Sequence, residues 1–244
     1  MYNFMLSNNF KSMEVYYINL QKSIFRNKRF LKEGATYFKN LQRYEAVDGS
    51  KINLLDCLAN YTLSLRGYYS IKNQERIHKD DIGTLGALGC YLSHVGVWKK
   101  FLKSDCEHCL IFEDDADVKL EDALKIDAYM KNPSKYDVIL FHRNQAIQNN
   151  VTSFFGTYAY SISRSGAKKL LKGVFPATQQ IDAYMSNNIL QKGLIIKNAT
   201  EIQVGHHLSF GFSDVGHWQI YKNYIIFGII FFIIFALILK KQLI

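Results

Sequence analysis

Proline is almost missing from this chain: its 244 residues include two, Pro133 and Pro176. No low-complexity run and no internal repeat occurs either, which excludes a proline-rich linker and a repeat array. Cysteine is scarce as well. Cys57, Cys90, Cys106 and Cys109 are too few for a disulfide framework, and Cys106-Glu107-His108-Cys109 is a lone CxxC without the second pair that zinc spacing requires. Reduced thiols in a cytosolic or cytosol-facing protein fit this usage. With no zinc finger and no aromatic RNA-binding signature, nucleic acid is not an expected partner despite the basic balance. Residues 1–12 lack the basic start and continuous apolar core of a secretory leader. In that setting the Asn-X-Thr triplets at Asn60, Asn150 and Asn198 read as chance matches.

What is present is a core and a charge. The chain is 48% hydrophobic and 14% aromatic, enough for one sizeable domain with appendages. Its formal net charge of +9 favours anionic partners such as nucleotide phosphates or an acidic membrane surface.

The most informative stretch is Leu110-Ile111-Phe112-Glu113-Asp114-Asp115-Ala116-Asp117, where a short apolar run leads into a cluster of carboxylates. The run from Cys109 to Phe112 reads as a strand buried on both faces. Carboxylates this close repel one another, and a bound divalent cation removes that cost. Oxygen ligands at a strand's end suit magnesium or manganese, which often hold phosphates as well. The cluster is either a metal site for a phosphorylated substrate or a solvated acidic turn, and its surroundings decide between them.

Strands are expected over 14–20, 41–47, 136–141, 157–163 and 193–197, and helices over 23–32, 120–130, up to 171 and over 181–190. Ser23 is a candidate N-cap, and Arg26 and Arg29 lie three apart on one face of the helix that follows. A strand running into a helix N-terminus with arginines nearby can cradle a diphosphate, or the arginines form a solvated face. Residues 50–82 read as a long loop with some helix. The clearest helix covers 83–104, with Leu88, Tyr91, Leu92, Val95, Trp98, Phe101 and Leu102 at helical spacing. Ser93 falls opposite that stripe and His94 on its flank. Gly83, Gly86 and Gly89 would let a ligand or another backbone come close. Strands alternating with helices make this an α/β domain.

YYINLQKS at 16–23 followed by Arg26 and Arg29, YEAVDG at 44–49, LGCYLSHVGVWK at 88–99, LIFEDDAD at 110–117, GTYAYSISRSGAKKLL at 156–171 and IDAYM at 181–185 occur in this order. Together these segments resemble glycosyltransferase family 25, which includes bacterial lipooligosaccharide galactosyltransferases and collagen galactosyltransferases. The resemblance implies a GT-A type fold with a Rossmann-like half that binds a nucleotide sugar. It implies transfer from a UDP-sugar, commonly galactose, assisted by Mn2+ or Mg2+. On that basis Asp114, Asp115 and Asp117 are the candidate metal ligands. Asn19, Arg26, Arg29, Asp48, Ser93 and His94 are the candidates for holding the donor. In an inverting transfer a carboxylate deprotonates the acceptor hydroxyl, and Asp182 is the candidate base, unless it merely complements a helix dipole. Tyr160 and Ser163 are expected in the sheet beneath the site. One of His206, His207 and His217 could add a late metal ligand. Beyond residue 197 the resemblance fades, so the acceptor, a glycan, lipid-linked or protein hydroxyl, is not carried over. The competing reading is a membrane-attached pseudoenzyme that keeps the fold as an interaction module.

Residues 225–239 are all apolar and are flanked by Lys222 and by Lys240-Lys241. The run is short for a bilayer core of about 30 Å, although Tyr221, Tyr224 and snorkelling lysines extend it. The expected organisation is an extension at 1–13, a glycosyltransferase domain at 14–219 and a C-terminal membrane anchor at 220–244, with the catalytic domain in the cytosol.

Overall fold

The computed structural model describes residues 13–34, 37–38, 40–133, 135–142 and 154–207. Eight strands, β1 (Met13–Asn19), β2 (Leu41–Glu45), β3 (His108–Glu113), β4 (Ala116–Asp117), β5 (Val138–Leu140), β6 (Ala159–Ser163), β7 (Ile196–Asn198) and β8 (Gly205–His206), are seen among these residues. The helices are α1 (Ile24–Gly34), α2 (Leu54–Ala59), α3 (Leu65–Asn73), α4 (Leu85–Phe101), α5 (Leu120–Tyr129), α6 (Arg164–Leu171) and α7 (Ile181–Lys192).

Alternation along the strands sets the layering. In β1, Tyr16 and Ile18 enter one apolar cluster while Val15 and Tyr17 enter the other. β3 does the same, with Cys109 and Ile111 on one side and Leu110 and Phe112 on the other. A strand buried on both faces needs helices above and below. Tyr91, Val95 and Trp98 of α4, Leu170 of α6 and Met185 of α7 cover the first face. Phe30 of α1 and Ala123 and Ile126 of α5 cover the second. The fold is therefore α/β, with a six-stranded sheet ordered β2-β1-β3-β6-β5-β7. β2, β1 and β3 run parallel, β6 runs against both β3 and β5, and β7 is parallel to β5. β4 and β8 form a separate ribbon in which Ala116 faces His206.

Two parts of the sequence reading change. The segment at 50–82 is more helical than expected. Asn53 caps α2 by accepting from the N–H groups of Leu55 and Asp56, and Ser64 caps α3 by accepting from Gly67 N. Ser93 and His94 are buried rather than lying outside an apolar stripe, because α4 is enclosed on nearly every side. On its second side the turn at 47–49 lies against the helix backbone, where a Cβ at Gly89 would stand 2.5 Å from Val47 O. That glycine does admit another backbone, as its place in the sequence implied. The apolar run at 225–239 lies outside the described residues, among which no helix is long and apolar enough to cross a membrane. His217 lies outside them too.

Candidate active site

The three parallel strands end on one cleft. Just beyond β2 lie Ala46, Val47 and Asp48, at the end of β1 lie Ile18 and, one residue past it, Leu20, and at the end of β3 lie Glu113 and, just past it, Asp114 and Asp115; all line a cavity of about 590 Å³. The carboxyl ends of parallel strands are where α/β sheets bind ligands. α4 supplies Cys90, Ser93 and His94 to the opposite wall, and α7 brings Asp182 to its rim.

The acidic cluster is neutralised from one side. Arg26 Nη2 lies 2.5 Å from Asp114 Oδ1 and 2.6 Å from Asp115 Oδ2. Asn19 Nδ2 donates to Asp114 Oδ2 at 2.6 Å, and Arg43 Nε holds Asn19 Oδ1 at 2.9 Å. Asp114 is nevertheless pushed up to about 6, since burial and the neighbouring Asp115 and Glu113 carboxylates outweigh Arg26 and Asn19. On the other side the β4–β8 ribbon carries two imidazoles to the acids. His206 Nε2 lies 3.2 Å from Asp115 Oδ2, and His207 Nε2 lies 3.5 Å from Asp117 Oδ1. The Asp115 hydrogen bond holds the pKa of His206 above its ordinary value. Asp115 Oδ1 is buried and has no hydrogen-bond donor among the described residues. A bare carboxylate oxygen beside further carboxylates is the kind of ligand a small divalent cation takes, but among the described residues the three ligand atoms that lie within 4.8 Å of one another belong to Cys90, His94 and Glu113, not to Asp114, Asp115 and Asp117.

The remaining sequence candidates separate. Asp48 lines the cleft, where Ser50 and Lys22 hold its carboxyl at about 2. Ser93 reaches the cleft wall with its hydroxyl already used, accepting from Val47 N at 2.9 Å and donating to Gly89 O at 2.6 Å. Asn19 stands behind the acids and positions Asp114. Asp117 sits on the ribbon outside the cleft lining. Arg29 is not at the cleft: α1 starts at the strand ends, and three further residues carry Arg29 about 4.5 Å along the axis. Asp182 faces the cleft with both oxygens engaged, Oδ2 by Gly156 N at 2.8 Å and Oδ1 by Ala183 N at 2.8 Å.

The sequence places Glu113 in the acidic cluster and His94 among the candidates, but the pairing of Glu113 with His94 and Thr157 was not legible in it. Glu113 Oε1 accepts from Thr157 Oγ1 at 2.7 Å and lies 3.3 Å from His94 Nε2. Burial opposes its ionisation, but these two partners outweigh it and keep the carboxyl below its ordinary value. The signal available was the four-residue spacing of Cys90, His94 and Trp98, which puts all three on one side of α4. Cys90, His94 and Glu113 lie close enough to share an ion. A metal on His94 Nε2 would move the ring proton to Nδ1, where Tyr160 Oη lies at 2.9 Å. The buried phenol would then lose its acceptor, at a cost of about 1–3 kcal/mol, so hydrogen bonding is the better account of this group.

Comparison with known proteins agrees with the family that the segments resemble, and the family model spans the first four of the six. The family described as Glycosyltransferase family 25 (LPS biosynthesis protein) matches residues 12–147. A "Glycosyltransferase 25 family member" of Anopheles gambiae is 26% identical over 175 residues, covering 65% of this chain and 28% of its own. "Procollagen galactosyltransferase 2" of Mus musculus is 27% identical over 175 residues, covering 65% of this chain and 27% of its own. The mouse "Inactive glycosyltransferase 25 family member 3" is 25% identical over 174 residues, covering 65% and 28%. The chain thus spans little more than a quarter of the length of these relatives. Among solved structures, a glycosyltransferase involved in glycosylation of the major capsid of PBCV-1 aligns with a TM-score of 0.43 at 10% identity, over 83% of this chain and 94% of that one.

Proposed function

The chain belongs to glycosyltransferase family 25, and we propose that it moves a hexose, galactose first among candidates, from a UDP-sugar to a glycan, lipid-linked or protein hydroxyl, within a GT-A type domain. The observation that carries this reading is the meeting of three parallel strand ends, Arg26 and a carboxylate cluster with a bare buried oxygen at one cleft. Asp115, with Asp114 behind it and His206 beside it, would hold Mn2+ or Mg2+, and Asp117 or His207 would join them only by turning in from the ribbon outside the cleft lining. When bound, that cation supplies positive charge to the departing diphosphate. The turn at Asp48 and Gly49 and the start of α4 at Gly83 and Gly86 provide a small-residue wall for the nucleotide. In the inverting transfer proposed here, the acceptor hydroxyl attacks the anomeric carbon, the carbon–oxygen bond to the diphosphate breaks, and the hydroxyl proton goes to Asp182. The run at 225–239 is proposed to anchor this domain to a membrane.

The test is a screen of UDP release from each UDP-sugar with manganese present. One sugar should turn over, and Asp115→Asn should abolish that turnover while the far-UV circular dichroism stays unchanged. Turnover at the parent rate in the variant would refute the assigned cation site. A second reading, a fold kept without activity, draws on the relative named inactive. It predicts UDP binding with no release from any donor.

A further inference from the structure

A hydrogen-bond chain of fixed direction ends in the cleft. Trp98 Nε1 can only donate, and it donates to Tyr160 Oη at 2.9 Å. Tyr160 is fully buried, and burial keeps its phenol protonated. Its hydroxyl hydrogen needs an acceptor, and among the described residues its other partner is His94 Nδ1 at 2.9 Å. Trp98 cannot serve, so Tyr160 donates to His94 Nδ1. This leaves the ring hydrogen of neutral His94 on Nε2, which faces Glu113 Oε1 at 3.3 Å. Thr157 Oγ1 donates to that oxygen at 2.7 Å, and His94 Nε2 stands beside it at ion-pair distance without an aligned hydrogen bond in this state.

The consequence lies at the other oxygen. Glu113 Oε2 meets no protein donor among the described residues, and the side chain remains 23% exposed in the cleft wall. A carboxylate pinned through one oxygen presents the second as an acceptor in a set direction. We infer that Glu113 Oε2 receives a hydroxyl of the saccharide bound in this cleft, and that Trp98, Tyr160 and His94 are positioning residues that aim it. The inference rests on the glycosyltransferase reading. Neutral sugars offer this oxygen its hydrogen bond, whereas the diphosphate, itself an acceptor, is repelled and stays with Arg26. The hydroxyl can come from the transferred hexose or from the acceptor.

The test uses the full chain with manganese, measuring the affinities of UDP and of UDP-galactose, donor hydrolysis in water, and transfer to methyl glycosides. Glu113→Gln should leave UDP affinity within about twofold. If the transferred hexose supplies the hydroxyl, the variant loses about tenfold in UDP-galactose affinity and hydrolyses it more slowly. If the acceptor supplies it, donor affinity and hydrolysis hold, and the KM for the glycoside rises about tenfold. Tyr160→Phe leaves Glu113 in place and should show the same split more weakly. Histidine 15N NMR checks the direction of the chain independently: His94 should be the Nε2–H tautomer in the parent and lose that preference in Tyr160→Phe. A proton on Nδ1 in the parent, an equal loss of UDP affinity in Glu113→Gln, or no change in either sugar measurement overturns the inference. A parent chain that binds UDP but turns over no donor overturns the glycosyltransferase reading itself, with the tautomer assignment standing or falling by NMR.

Discussion

Asp182 and Asp137 are both aspartates that accept backbone N–H groups, yet they stand in different places. Asp182 is at the cleft, and its bond to Gly156 N also ties the segment before β6 to the start of α7. As the proposed base it should lose at least about 100-fold in transfer rate on Asp182→Asn, with UDP and manganese affinity nearly unchanged. A parallel drop in rate and UDP affinity, read by calorimetry beside kinetics, would make it a structural tie. Asp137 lies far from the chemistry. It accepts from Lys169 Nζ at 2.7 Å and Ile195 N at 2.9 Å, joining β5, α6 and the approach to β7. Burial disfavours its charge, but Lys169, Ile195 and Ser165 outweigh burial and lower its pKa. Its contribution is therefore complete above the ordinary carboxylate value and is lost as pH falls through the lowered native one. Asp137→Ala should cost about 3 kcal/mol in urea denaturation at pH 7, and less at pH 3. An unchanged difference at the two pH values would show that the cost is packing.

At the scale of elements, α4 governs the site through its neighbours. It is capped by Thr84, which accepts from Ala87 N, and it is surrounded by sheet, by α6 and α7, and by the turn at 47–49. That turn fits because neither side carries a side chain where they meet: a Cβ on the turn's own Gly49 would run into Leu85 O, and one on Gly89 of the helix would lie 2.5 Å from Val47 O. Gly89→Ala should cost about 2 kcal/mol of stability and push Val47 and Asp48 into the cleft. Thermal melting reads the first effect, and UDP affinity the second. A lower melting temperature with unchanged UDP affinity would take this turn out of the donor site. The helical periods were readable in the chain because they depend on residues within one turn of each other. The Asn53 and Ser64 caps were equally local, but short helices without a clear apolar stripe hid behind the polar composition of 50–82.

At the scale of the whole molecule, the domain and the tail make separable predictions. Cutting the chain at Tyr221 should release a membrane-bound protein into the soluble fraction with its UDP-sugar turnover intact. Equal solubility of the two forms in alkaline carbonate fractionation would refute the anchor.

The sequence by itself determined the α/β class, the buried strand that carries the acidic cluster, and the candidate residues Arg26, Asp114 and Asp115. Each of these depends on residues near one another in the chain: alternation, helical spacing, and charges packed into consecutive positions. Tertiary structure alone decided what meets what. Parallel pairing of β2, β1 and β3 put their ends on one cleft, and the β4–β8 ribbon brought His206 to Asp115 across about ninety residues. Crossing from α4 to β6, it joined Trp98, Tyr160, His94 and Glu113 through bonds whose direction depends on three separate segments. No local pattern records such contacts, because burial and hydrogen-bond direction arise only once the layers have packed.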